Sequence, residues 1–137
     1  HVSNSAVDER SWHYVNLGPE NILLGNWYRP PGSMHNGFTE LQTELNNFAS
    51  EITGVALSGD LNIHHIKWLR YSNANTNIGA DMKDLCDRYG FRQLVREPTR
   101  NAYLLDLFIT DLPGCESEVL PAIADHRGVL TKCPCQR

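Results

Sequence analysis

Two short segments of this chain set proton-transferring groups side by side at the ends of apolar runs. Val55, Ala56 and Leu57 lead into Gly59-Asp60-Leu61-Asn62, a carboxylate and a carboxamide two residues apart. If a strand pleat continues through them, Asp60 and Asn62 point to the same side. Asp60 could then accept a proton from water while Asn62 orients that water or donates to a neighbouring oxygen. The competing reading is an Asx-rich turn, because Gly, Asp and Asn dominate turns. The second segment is Ala124-Asp125-His126-Arg127-Gly128-Val129, where an acid and an imidazole are adjacent. A carboxylate such as Asp125 suits a hard cation, Mg²⁺ or Mn²⁺, which prefers oxygen ligands and keeps several waters.

A third acid lies between them. Over residues 104–110, Leu105, Leu107 and Ile109 fall on one side of a strand and Leu104, Asp106 and Phe108 on the other. An unpaired carboxylate in so apolar a strand costs several kcal/mol, so Asp106 needs a partner, and His126 is the obvious one. The alternative is an exposed strand face with Asp106 in water. Attack of water on a phosphodiester needs a positioned nucleophile, charge stabilisation on the phosphoryl oxygens and help for the leaving oxygen. Held as imidazolium by Asp106, His126 would donate to a non-bridging oxygen, as a carboxylate-oriented histidine does in other hydrolases. Tyr28 is a further donor for a phosphate oxygen.

The elements that must carry these groups alternate between strand and helix. Residues 11–16 set Trp12 and Tyr14 against His13 and Val15, and residues 21–28 carry Ile22, Leu23, Leu24 and Trp27, so both read as strands. Pro30-Pro31-Gly32 ends the second, because proline cannot donate to a ladder. Phe38, Leu41, Leu45, Phe48 and Ile52 recur at helical spacing, with Thr39 and Gln42 as a capping box and Gly54 closing the helix. A second helix is expected over 79–89, with Met82, Leu85, Cys86 and Tyr89 on one face and Gly90 as its stop. The asparagine-rich residues 71–77 read as a surface loop. Residues 118–124 and 128–133 read as closing strands, the first interrupted by Pro121. The order predicts an α/β (α+β) layered sandwich with a mixed, mostly antiparallel sheet and flanking helices, one domain over 1–137. Tyr28, Asp60, Asn62, Asp106, Asp125 and His126 should converge at one end of one sheet.

With 12 basic and 16 acidic residues the net charge is −4, the wrong sign for gripping a polyanion by bulk charge. A phosphodiester site would then depend on a metal and on local arginines. Arg29, Arg70, Arg96, Arg100 and Arg127 are available, with Arg29, Arg100 and Arg127 taken as substrate contacts, although exposed arginines are commonly only solvated surface. No run approaches the ~20 apolar residues that cross a bilayer, and no signal-peptide pattern is present, so no membrane partner is expected. The chain opens at His1, which reads as a processed product or an excerpt. Cys86, Cys115, Cys133 and Cys135 lack Cys-x-x-Cys spacing, and Cys133-Pro-Cys135 lacks two further ligands for zinc. Cys86 reads as core, and the cysteines are expected as free thiols in a reducing, intracellular compartment.

Taken in order, Tyr28-Arg29-Pro30-Pro31, Gly59-Asp60-Leu61-Asn62, Pro98-Thr99-Arg100, the Leu105-Asp106 pair with Thr110, and Asp125-His126 resemble the endonuclease/exonuclease/phosphatase superfamily. They are most similar to the endonuclease domains of non-LTR retrotransposons. The resemblance runs from about Tyr28 to Val129, and its specificity lies in the order and spacing of the motifs rather than in any one of them. It implies metal-dependent hydrolysis of DNA in the nucleus, with Asp60 and Asn62 as the water-activating pair and Asp106 as the partner of a catalytic His126. Asp125 falls on the metal aspartate and Tyr28 on a phosphate-contacting tyrosine. Leu61 replaces the more usual phenylalanine, and Ala124 the usual serine before Asp-His; neither change removes a reacting group.

The front of the chain departs from the pattern. The superfamily's first half supplies an asparagine and a metal-binding glutamate, whereas Glu9, Glu20, Asn16 and Asn26 lie in no context that resembles those sites. The resemblance therefore implies the C-terminal portion of such a domain, mostly one sheet with its helices. An apolar sheet face would be left for a missing N-terminal half or a homo-oligomer to cover. Two readings follow: a retrotransposon-like DNA endonuclease with weak activity in the isolated chain, and a non-catalytic remnant serving as a structural or interaction module.

Overall fold

Strand β2 (Glu9–Leu17) and strand β3 (Glu20–Tyr28) form a hairpin around Gly18-Pro19, paired antiparallel from Leu17↔Glu20 to Glu9↔Tyr28. The computed structural model describes residues 3–4, 9–30, 38–48, 52–69, 71–72, 76–122 and 125–134. Strand β1 (Ser3–Asn4) adds to the outer edge of β2. From β3 the chain crosses through helix α1 (Phe38–Phe48) to strand β4 (Gly54–Asp60), which lies parallel to β3. Helix α2 (Asn77–Tyr89) and the short strand β5 (Arg92–Gln93) follow, and then strand β6 (Asp106–Thr110) pairs antiparallel with both β4 and β5. The sheet order is β1-β2-β3-β4-β6-β5. Strands β7 (Glu116–Ala122) and β8 (Arg127–Lys132) make a separate two-stranded sheet.

The period of two along each strand decides which face the helices cover. Trp12, Leu23, Trp27, Val55, Leu57, Leu107 and Ile109 share one face and join Leu41 and Leu45 of α1 and Met82, Leu85 and Cys86 of α2 in a single buried cluster. Arg10 lies on this same face with its side chain fully buried, paired with Glu44 at 3.0 and 2.6 Å and stacked over Trp27 at 4.6 Å. Trp12 Nε1 donates to the same Glu44 at 2.6 Å, so one carboxylate ties β2 to α1. On the opposite face, Asn26, Ser58 and Phe108 form one cross-strand row, and the pairs Glu9–Tyr28 and Asp60–Asp106 lie beyond it, at the C-terminal ends of β3 and β4. The β7–β8 sheet packs over part of that face through Phe108, Val119 and Val129, which makes the molecule a two-layer sheet sandwich with helices outside. The part beside β2 and β3 is mixed, with Leu17, Leu24 and Tyr28 exposed on it beside polar side chains. It carries Ser11, His13 and Asn26, with Ser58 Oγ donating to Asn26 Oδ1 at 3.1 Å.

Several expectations shift. Helix α1 begins at Phe38, so Thr39 is inside the first turn with its carbonyl accepting from the Thr43 hydroxyl at 2.9 Å, and no capping box forms there. Gly54 opens β4 instead of closing the helix. Helix α2 starts two residues before Gly79 because Thr76 caps it, its hydroxyl accepting from Gly79 N at 3.1 Å. Its stop is as expected: Gly90 is left-handed, φ 72°, and its N–H bonds Cys86 O. Strand β6 starts at Asp106, although Leu104 and Leu105 before it are buried. Pro121 lies within β7, at a register irregularity between Val119 and Ala122. Parts of the 71–77 loop, Pro31, Gly32, Arg70, Ala124 and Cys135 lie outside the described residues.

The expectation of free thiols is overturned for two cysteines. Glu116↔Lys132 register in the β7–β8 ladder leaves Cys115 and Cys133 facing each other just beyond the strand ends, with Cα atoms 4.2 Å apart, and they are disulfide-bonded. The argument from free thiols for a reducing compartment falls with them. Cys86 is buried in the core as expected, and burial pushes its thiol up to about 12. Among the described residues no helix is long and apolar enough to cross a membrane.

Candidate functional site

Strand β4 delivers Asp60 to the sheet end through a glycine that nothing else could replace. Gly59 has φ 151°, and a side chain there would run into the backbone carbonyl of Trp27 on β3. The strand stops at Asp60, so the pleat does not continue. Asn62 turns left-handed, φ 49°, a conformation asparagine tolerates, and its Nδ2 donates to Arg29 O at 2.7 Å. Arg29 N in turn donates to Asp60 O at 2.8 Å, and Leu61 N to Leu105 O at 3.1 Å, which stitches the ends of β3, β4 and β6 together. The Asn62 N–H also lies against the Asp60 carboxylate. The Asx-turn and the chemically armed strand end are therefore the same structure.

Asp106 faces Asp60 across the β4–β6 ladder. His126 enters from the turn before β8 and closes the group. Its Nδ1 is 2.8 Å from Asp106 Oδ2, and since a carboxylate only accepts, Nδ1–H is the donor. Nε2 then points toward Asp60, 3.6 Å from Oδ2. Ligand atoms of Asp60, Asp106 and His126 all lie within 4.8 Å of one another. Burial above all, and then the neighbouring Asp106 charge, raise the Asp60 carboxyl above its ordinary value; His126, the Asn62 N–H and Arg100 oppose the shift. Asp60 Oδ1 is buried with no hydrogen-bond partner, an acceptor left open in the middle of the group.

The other expected residues surround this trio at different depths. Tyr28 is 44% exposed and lines a recess of about 560 Å³ beside Asp60, together with Glu9, Ser11 and Asn26. Asp125 points outward instead of into the trio: its side chain is 71% exposed and 3.7 Å from Arg100 Nη2. Arg127 is exposed and, with Asp106, lines a groove of about 480 Å³ between the two sheets. Arg29 is buried, and its backbone bonds both Asn62 Nδ2 and Asp60 O. Arg96 is exposed.

Thr99, in the Pro98-Thr99-Arg100 motif, is a residue whose contribution the motif alone does not reveal. Its side chain is fully buried, and Oγ1 accepts from Leu105 N at 3.1 Å and Asp106 N at 3.0 Å. The signal was the Pro98-Thr99-Arg100 motif itself, which no reacting group accounted for. Glu9 also borders the recess, as the register partner of Tyr28.

No protein-family model matches the chain, and no curated protein matches it in sequence. Solved structures do match. The endonuclease domain of TRAS1, a telomere-specific non-LTR retrotransposon, has a TM-score of 0.75 at 15% identity, over 93% of this chain and 64% of that domain. A mannosyl-6-phosphatase of Bacteroides thetaiotaomicron VPI-5482 has a TM-score of 0.58 at 10% identity, over 90% of this chain and 55% of its own. An endonuclease/exonuclease/phosphatase family protein from the same species scores 0.54 at 8% identity, over 90% and 51%. The fold is that of the endonuclease/exonuclease/phosphatase superfamily. Identities this low carry the fold and not the activity. The chain spans between about half and two thirds of the structures it matches.

Proposed function

We propose that this chain carries the proton-transfer half of a DNA endonuclease that hydrolyses phosphodiesters with the help of a divalent metal. The observation that carries the reading is His126 standing between two carboxylates at the sheet end, 2.8 Å from Asp106 and 3.6 Å from Asp60. Asp60, made more basic than an ordinary carboxylate by burial, takes a proton from the attacking water. His126 has Nδ1 committed to Asp106, so a protonated ring donates through Nε2 to a phosphate oxygen. Asn62 holds the β3 and β4 ends in place, and Tyr28, Arg100 and Arg127 line the approaches as donors to the phosphate.

The residues present fit a metal. Asp60 Oδ1 is an unpartnered buried oxygen inside the cluster of Asp60, Asp106 and His126, and two carboxylates are the donors that Mg²⁺ or Mn²⁺ takes. Asp125 on the rim is a further oxygen donor. A bound cation supplies positive charge against the phosphoryl oxygens. DNA is favoured over a sugar phosphate by the motif order and by the better match to a retrotransposon endonuclease domain than to a phosphatase. The second reading is a non-catalytic module on the same fold.

Supercoiled-plasmid nicking with Mg²⁺ or Mn²⁺ separates the two, using this chain, a form extended upstream, and His126→Ala in each. The expected result is slow nicking by the chain, faster nicking by the extended form, and a fall of about 10²–10³ in both on His126→Ala. No nicking by either form with His126 intact would leave the non-catalytic module as the reading.

A further inference from the structure

We propose that Thr99 is a positioning residue that fixes Asp106 and His126 relative to each other, an inference that rests on reading those two as the working pair. The two residues lie 20 apart in sequence and reach the site on different sheets, Asp106 on β6 and His126 on the turn into β8. Thr99 bonds the chain at both places. Its hydroxyl accepts from the backbone N–H of Asp106 at 3.0 Å and of Leu105 at 3.1 Å, which sets where β6 begins. Its carbonyl accepts from the N–H of Arg127, the residue after His126, at 2.6 Å. Thr99 is itself anchored, its N–H donating to Tyr103 O at 2.9 Å in the Arg100–Tyr103 turn. One side of the residue locates the carboxylate and the other locates the imidazole.

Burial makes the hydroxyl irreplaceable. Thr99 is fully buried, so water cannot take over as the acceptor for the two N–H groups when the oxygen is removed. Serine restores the acceptor and valine preserves the outline without it. A purely structural threonine would make valine and alanine reduce stability while the Asp106–His126 hydrogen bond kept its geometry. A positioning threonine makes that bond the first thing to change.

The test compares wild type, Thr99→Val and Thr99→Ser by the low-field proton signal of the hydrogen-bonded His126 Nδ1–H and by kcat and KM in plasmid nicking. Thr99→Val is expected to lose the His126 signal and about 10²-fold in kcat with KM little changed, the cost of a reacting group moved by about 1 Å. Thr99→Ser is expected to retain both. A Thr99→Val protein that keeps the signal overturns the proposal, as does a Thr99→Ser protein that loses it. If wild type does not nick, the endonuclease reading fails, while the proton signal still decides the role of Thr99. If Thr99→Val does not fold, amide hydrogen exchange in wild type decides it. Leu105, Asp106 and Arg127 should be protected well beyond the neighbouring turn residues, and fast exchange at Asp106 and Arg127 overturns the proposal.

Discussion

Replacing Asp60 by asparagine should make the protein more stable at neutral pH while removing its capacity to take a proton from water. Asp60 is largely buried, with 18% of its side chain exposed, and its raised carboxyl means the folded state disfavours the charge. The main causes are burial and the Asp106 carboxylate, with ligand atoms within 4.8 Å. Two unit charges at that separation repel by about 1 kcal/mol in water and about 3.5 kcal/mol at an effective dielectric of 20. The His126 ring, the Asn62 N–H and Arg100 recover part of this, and the raised carboxyl shows that a net penalty on the ionised form remains. Below the ordinary carboxylate value of 3.8 the group is protonated in both folded and unfolded chains, so the penalty is absent. It grows as pH rises from there through the raised folded value and is complete above it. Asp60→Asn removes it, so the gain is expected at pH 7 and should shrink toward zero near pH 3.8. Urea melts with a chelator present, at both pH values, measure this directly. A variant less stable than wild type at pH 7 would refute the account of Asp60 as a buried, poorly compensated carboxylate.

Three further outcomes follow from the packing. Glu44→Gln should cost about 1–3 kcal/mol in urea denaturation, because it weakens a charge-assisted pair with the buried Arg10 side chain and the acceptor of Trp12 Nε1. Reducing the Cys115–Cys133 disulfide, which spans 18 residues, should lower stability by about 3 kcal/mol, read as a shift of the urea midpoint with and without reductant. Gly59→Ala should cost at least about 3 kcal/mol in a thermal melt, since it combines a φ of 151° with a clash against the Trp27 carbonyl; a near-neutral result would mean the β3–β4 approach is looser than described.

What the sequence revealed of the site followed from local pattern. Period-two alternation put Asp106 in an apolar strand and required a partner, and His126 at 2.8 Å is that partner. Gly90 ended α2 because a left-handed cap leaves a recognisable residue. The losses came from features that depend on register between distant segments. Thr99 matters because its hydroxyl lies within reach of the Leu105 and Asp106 amides, and the Cys115–Cys133 pair exists because Glu116 happens to oppose Lys132. Thr76 is a different kind of miss. A threonine just before a helix is an ordinary cap, but the asparagine-rich run in front of it drew the boundary two residues late. Asp125, next to His126 in sequence, lies on the rim with its side chain 71% exposed and 3.7 Å from Arg100.

The features that make this corner of the fold useful also oppose its folding. Strand ends from β3, β4 and β6 are stitched by backbone bonds through Arg29, Asp60, Leu61 and Leu105, and that rigidity holds two carboxylates together despite their repulsion. A corner selected only for stability would replace Asp60, give Oδ1 a donor, or separate it from Asp106. Here the oxygen stays open, and the His126 imidazole beside it is already bonded on its other nitrogen. A destabilising, geometrically fixed pair of carboxylates is what a cation site requires before its ligand arrives, because the cation's charge then offsets their repulsion.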